Sequence, residues 1–244
     1  MKKLILLSII VLIISSCKEK AKEFKGIEIE EEVLAEQKPE WVMLFDGTSL
    51  DNWRGYLKDE MYDEWTIEDG AMVFTPSEEG GKNIITKKAY TNFELSLEWK
   101  ISEGGNSGIF WSVYEDQKFK EAYQTGPEIQ VLDNERHPDA LANPKFHQAG
   151  ALYDMVQPEQ DVCNQAGEWN LCEISINHKT NEGSVTLNGV KIVEFPLHGE
   201  KWDAMVENSK FKGWEGFGKH QTGHIGLQDH SDKVWFKNIK IKEL

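Results

Sequence analysis

Apolar and polar residues alternate in short runs over most of this chain, a period-two pattern that predicts β-strands. The clearest run is Phe93-Glu94-Leu95-Ser96-Leu97-Glu98-Trp99-Lys100, with Phe93, Leu95, Leu97 and Trp99 on one face. Glu173 to Asn177 and Val185 to Asn188 alternate in the same way. Two runs flank Asp69-Gly70, and Asn188-Gly189 follows another, both hairpin signals. The chain closes on Ile225-Gly226-Leu227, Val234-Trp235-Phe236 and Ile239-Lys240-Ile241. No long stretch has helical period, and no convincing internal repeat is present. Many short strands separated by Gly, Asn and Asp turns predict an all-β sandwich of two antiparallel sheets, over residues 41–244.

The N-terminus follows a different pattern. Lys2 and Lys3 precede an apolar run from Leu4 to Ile14 broken only by Ser8. A bilayer span needs roughly 20 apolar residues, so this run fits a signal peptide instead. Ile14-Ser15-Ser16-Cys17 resembles the lipobox of bacterial lipoproteins. The expectation is a signal peptide over 1–16, a lipid on Cys17, and a Lys- and Glu-rich tether over 17–40. That makes the protein a lipoprotein of the cell envelope, at the outer membrane, facing the periplasm or the surface.

Charge narrows the partners. The chain carries −15, and loses Lys2 and Lys3 with the signal segment. Nucleic-acid affinity rests on Lys and Arg neutralising phosphates, so a nucleic-acid partner is not expected. Membrane attachment must come from lipid. Export also permits disulfides, and Cys163 and Cys172 are expected to pair.

Several strands set polar groups opposite apolar ones. In Glu128-Ile129-Gln130-Val131, Ile129 and Val131 share one face, Glu128 and Gln130 the other. Gln228 and His230 lie opposite Leu227, and Glu98 opposite Trp99. Were these strands neighbours, Glu98, Glu128, Gln130, Gln228 and His230 would meet on one sheet face. Carboxylate, amide and imidazole groups edged by aromatics suit a sugar, whose hydroxyls take hydrogen bonds and whose C–H faces stack on rings. The glycine-rich Gly104-Gly105-Asn106-Ser107-Gly108 reads as a hairpin turn or as a loop adding Asn106 to the site. It is not a phosphate loop, having no Lys and no following helix. Asp133 to Pro138 packs a His among carboxylates and reads as a solvated loop, with metal binding the alternative. Neither zinc-ligand spacing nor a nucleophile elbow is present.

At these residues the chain resembles a known family. Leu44-Phe45-Asp46-Gly47-Thr48-Ser49-Leu50-Asp51-Asn52-Trp53 matches the opening LFDG-x-x-L-x-x-W of the DUF1080, or 3-keto-disaccharide hydrolase, domain. The match continues through Asn106-Ser107-Gly108-Ile109-Phe110, Glu128 to Asp133, Gly150 to Tyr153, Glu168-Trp169-Asn170 and Gly226 to His230. One departure is Trp111-Ser112 after Phe110, near which many members carry an arginine. The resemblance implies a concanavalin A-like jelly roll. It implies cleavage of 3-keto-glycosides: a ketone at C3 acidifies the C2 proton, elimination expels the C1 substituent, and hydration follows. His230 and Glu128 are then the candidate acid–base residues, and candidate ligands of a divalent metal ion. Glu98, Asn106, Gln130, Tyr153, Gln228 and Trp111 would contact substrate. The alternatives are a conventional glycosidase using Glu98 and Glu128, and a non-catalytic carbohydrate-binding lipoprotein.

Overall fold

The computed structural model describes residues 39–77, 80–142 and 145–244. The signal segment, Cys17 and nearly all of the tether lie outside them. The strands are, in order, β1 Val42–Phe45, β2 Trp53–Gly55, β3 Trp65–Glu68, β4 Ala71–Phe74, β5 Ile84–Tyr90, β6 Phe93–Ile101 and β7 Asn106–Val113. They continue as β8 Glu128–Leu132, β9 Asn170–Asn177, β10 Glu182–Leu187, β11 Val190–Phe195, β12 Gly223–Leu227 and β13 Val234–Glu243. Two short helices, α1 (Pro138–Ala142) and α2 (Glu200–Glu207), sit in the connections.

The strands form two sheets. One has eight strands in the order β11-β10-β9-β6-β13-β4-β3, with β1 also paired to β13. The other has five, β2-β5-β12-β7-β8, and all pairings are antiparallel. This is the expected all-β, jelly-roll-like sandwich. Phe93, Leu95, Leu97 and Trp99 of β6 are all buried, as their alternation requires. They meet Ile109, Trp111, Ile129, Val131, Ile225 and Leu227 from the five-stranded sheet in one core. Asp69-Gly70 joins β3 to β4 and Asn188-Gly189 joins β10 to β11, all four residues at positive φ as type I′ turns require.

The LFDG-x-x-L-x-x-W run proves to be a packing motif. Leu44, Phe45 and Trp53 are buried, and the Trp53 indole N–H donates to Leu44 O at 2.9 Å. Asp46 accepts from Thr48 N at 2.9 Å, closing the turn. Gly47 has φ +94°, and a Cβ there would stand 2.9 Å from Gly70 O. Two needs, a left-handed backbone and a close approach to another turn, fix glycine at 47.

Two sequence expectations fail here. The Gly104-Gly105 segment is not a hairpin turn: β6 lies in the large sheet and β7 in the small one. The chain changes sheet at these glycines. Cys163 and Cys172 do not pair; both are free. Cys172 points into the core from β9, opposite Leu97 and Leu187, while Cys163 stays in the preceding loop with Sγ 3.2 Å from Asn164 O. Burial pushes both thiols up to about 12, so they are poor nucleophiles.

Candidate functional site

The period of two makes the five-stranded sheet bifunctional. Ile109, Ile129, Val131, Ile225 and Leu227 face the core. Their neighbours Asn106, Glu128, Gln130 and Gln228 therefore project from the other face, where loops build a wall. Together with Tyr123, Tyr153, Lys210, Phe211, Trp214 and His230 they line a cavity of about 290 Å³. That volume lies near the lower end of small-molecule sites.

Register explains the floor. Glu128 on β8 pairs with Phe110 on β7, and Gln130 pairs with Gly108. A Cβ on Gly108 would stand 2.2 Å from Glu128 Oε1. The missing side chain is the space that the carboxyl occupies. Glu128 is 7% exposed, and no hydrogen bond or ion pair holds its carboxyl among the described residues. Burial raises its pKa to about 8, with Lys210 opposing the rise and Asp139 adding to it. Three amides stand beside it with buried atoms that find no protein partner: Asn106 Oδ1, Gln130 Nε2 and Gln228 Oε1. Buried polar groups are nearly always satisfied, so these three atoms are available to bond a polar ligand or water.

The loops complete the wall. Gly150 N donates to Gln130 O, Gln130 N to Ala151 O, and Tyr153 N to Glu128 O, which seats Tyr153 at the edge of β8. Asp154 pins two further pieces. Its Oδ1 is 3.0 Å from His147 Nε2, and its Oδ2 accepts from Lys210 N at 2.7 Å. The Tyr153 ring stacks on His147, centroids 4.5 Å apart, and the Lys210 ammonium lies 4.0 Å from its centroid. Desolvation lowers the Lys210 pKa, with Glu128 opposing. Phe211 stacks on Phe217 at 3.8 Å and meets Trp214 edge-on, and Trp214 lies 6.0 Å from Tyr123. His230 is exposed at the mouth, its ring 6.3 Å from that of His137. Asp229 aims it indirectly: Oδ2 accepts from Lys82 N and Oδ1 from Ser231 N, which shapes the turn around residue 230.

Six of the expected residues thus come together: Asn106, Glu128, Gln130, Tyr153, Gln228 and His230. Two do not. Glu98 lies on β6 in the other sheet, bonded by Asn238 Nδ2 at 2.6 Å and paired with Lys237 at 3.3 Å. The sheet change at Gly104-Gly105 separates it from β7 and β8. Trp111 is 2% exposed and faces inward, with Phe195 and Trp202 around it. It is on the core side of the strand whose outer side carries Gly108 and Phe110. Tyr123, Lys210, Phe211 and Trp214 were not foreseen. Tyr123 lies in a 3-10 turn at Ala122–Gln124 and the other three in irregular chain, where alternation gives no signal; only the aromatic density of Phe211 to Phe217 hinted at a cluster.

For a metal ion the donor set is mixed. Among the described residues no three His, Cys, Asp or Glu side chains gather. The cavity does offer the Glu128 carboxylate, the unpartnered Asn106 Oδ1 and Gln228 Oε1, and His230 at its rim. Oxygen-rich sets of this kind fit a hard divalent cation better than zinc.

A two-sheet sandwich with a polar, aromatic-walled cleft on the outer face of one sheet is the architecture of a carbohydrate-handling protein. Comparison with known proteins makes the assignment specific. The chain belongs to the 3-keto-alpha-glucoside-1,2-lyase-like domain family, whose model matches residues 40–242. A Bacteroides thetaiotaomicron protein named 3-keto-disaccharide hydrolase is 36% identical over 251 residues, spanning 92% of this chain and 85% of that protein. A crystal structure from Parabacteroides distasonis ATCC 8503, named as that of a "putative glycosyl hydrolase", is 32% identical with TM-score 0.77. It covers 84% of this chain and 94% of its own. A Bacillus subtilis protein with a galectin-like fold, 9% identical with TM-score 0.53, shares the fold alone; the match covers 85% of this chain and 96% of that one.

Proposed function

We propose that this protein is an enzyme that cleaves 3-keto-glycosides by removing the C2 proton, eliminating the C1 substituent and hydrating the product. The family and the named relative support the substrate class. One observation favours this route over ordinary glycoside hydrolysis. Among the described residues that line the cavity Glu128 is the one carboxyl group, with Asp139 acting on it from outside the lining. A conventional glycosidase needs two flanking the bond, about 5–5.5 Å apart if retaining or about 6.5–9.5 Å if inverting. Glu98, the other nominee, is on the opposite sheet.

The steps divide between the mouth and the floor. His230 takes the C2 proton, and the C–H electrons form the enolate with O3. The enolate collapses to restore the C3 ketone, a C1=C2 double bond forms, and the C1–O bond breaks. Glu128, protonated below about pH 8, gives its proton to the departing oxygen. Water then adds at C1 and a proton returns to C2. The net change is hydrolysis. Gln130, Gln228, Asn106 and the Tyr153 hydroxyl orient the ring hydroxyls. As the alternative to these acid–base roles, Glu128 and His230 with the two amide oxygens would hold a divalent ion that supplies Lewis acidity at the ketone, and neither residue would then carry the proton transfers written above.

The non-catalytic alternative accounts for the cleft but not for the likeness to a relative named as a 3-keto-disaccharide hydrolase. The decisive experiment is turnover of a 3-keto-glucoside in D₂O with early quenching. This route places deuterium at C2 of the released 3-keto-glucose; cleavage without enzyme-dependent C2 deuterium contradicts it. We further propose that Cys17 carries lipid and holds the enzyme at the outer membrane, where glycosides arrive. Loss of membrane attachment in Cys17→Ala tests this, and retained attachment contradicts it.

A further inference from the structure

We infer that Lys210 is a catalytic residue whose ammonium donates a hydrogen bond to O3 of the bound keto-sugar as enolate charge develops there. The inference rests on the enolate reading above. Its basis is placement. Lys210 lines the same cavity as Glu128 and the three unsatisfied amides. Its main chain is fixed by Asp154, and its ammonium is held over two rings, 4.0 Å from the Tyr153 centroid and 5.4 Å from that of Phe211.

The ammonium makes no ion pair with any described residue; Glu128 influences it only through the field between them. Ring faces attract a cation but accept no directed hydrogen bond of full strength. The three N–H donors of this ammonium therefore remain available to a ligand oxygen. A neutral ketone gains modestly from such a donor. An enolate oxygen gains much more, because the charge-assisted bond strengthens as negative charge forms. Differential stabilisation of this kind raises kcat rather than lowering KM. It acts from the loop side of the cavity, whatever the sheet floor holds. No bond to Lys210 forms or breaks, and the proton stays on the ammonium throughout.

Two readouts on the full chain test the inference. The first is kcat and KM for a 3-keto-glucoside with wild type, Lys210→Met and Lys210→Arg. The second is exchange of the C2 proton of 3-keto-1,5-anhydroglucitol in D₂O, followed by NMR. That compound has no leaving group, so exchange reports enolisation alone. The expected result for Lys210→Met is a fall in kcat of about 100- to 1,000-fold with little change in KM, and an equal fall in exchange. Lys210→Arg restores part of both. Undiminished exchange in Lys210→Met, or an effect confined to KM, overturns the inference alone. Absence of C2 exchange in the wild type overturns the enolate reading and this inference together.

Discussion

Glu128 lies across Gly108: a methyl group at 108 would stand 2.2 Å from the Glu128 carboxyl oxygen. The two positions sit on adjacent strands of the small sheet, on its outer face, with Gln130 as the direct partner of Gly108. The glycine is needed for space; its backbone is ordinary extended strand. Gly108→Ala should therefore leave the strands in place but displace the whole Glu128 side chain, whose Cδ and Cγ would also stand 2.7 and 2.8 Å from the new methyl. Activity should fall about as far as in Glu128→Gln, by about 100-fold or more, the usual range for a lost acid–base group. Circular dichroism and kcat on the same preparation check this. An active Gly108→Ala would show that the position of the Glu128 carboxyl is immaterial.

Burial of Glu128 also predicts a pH signature. Its carboxyl is raised from 4.5 to about 8 in the folded chain, so the native state binds this proton more tightly than the unfolded state. The contribution is fully present below about pH 4.5 and is lost as pH rises through 8. Glu128→Gln removes the titration. In the presence of chelator, the variant should match wild type near pH 4 and exceed it near pH 9 by a few kcal/mol, at most about 5 for the full shift. Urea unfolding at the two pH values measures the difference. A constant offset between them would contradict the assigned burial.

Glu98 gives the converse prediction. It is tied to Asn238 and Lys237 on the large sheet, away from the cavity. Glu98→Gln should keep kcat and KM within about twofold, with a stability change of no more than about 1 kcal/mol, as for other part-exposed ion pairs. A large loss of turnover would revive the two-carboxylate glycosidase.

The strands that make the site were legible because each has one face in the core. Alternation alone separates Ile129 and Val131 from Glu128 and Gln130, and Leu227 from Gln228. What alternation cannot give is which strands are neighbours. Glu98 failed for that reason: its face was read correctly as polar, but β6 belongs to the other sheet. Trp111 failed because β7 is buried on both faces, so an aromatic there carries no sign of its side. Lys210 and Trp214 were invisible for a third reason. They reach the cavity from irregular loops whose positions depend on long-range contacts such as Asp154 to Lys210. The two cysteines show the limit of compartment arguments: an exported chain would be permitted a disulfide, but the inward face of β9 keeps Cys172 from Cys163.

The central claim is that the C3 ketone makes cleavage possible. Its most direct test compares one glucoside in two oxidation states, the 3-keto compound and its unoxidised parent, with wild-type enzyme and product analysis by NMR. Rapid release of the aglycone is expected from the 3-keto compound and none above background from the parent. Equal cleavage of the parent glucoside would contradict it, as would inertness toward both.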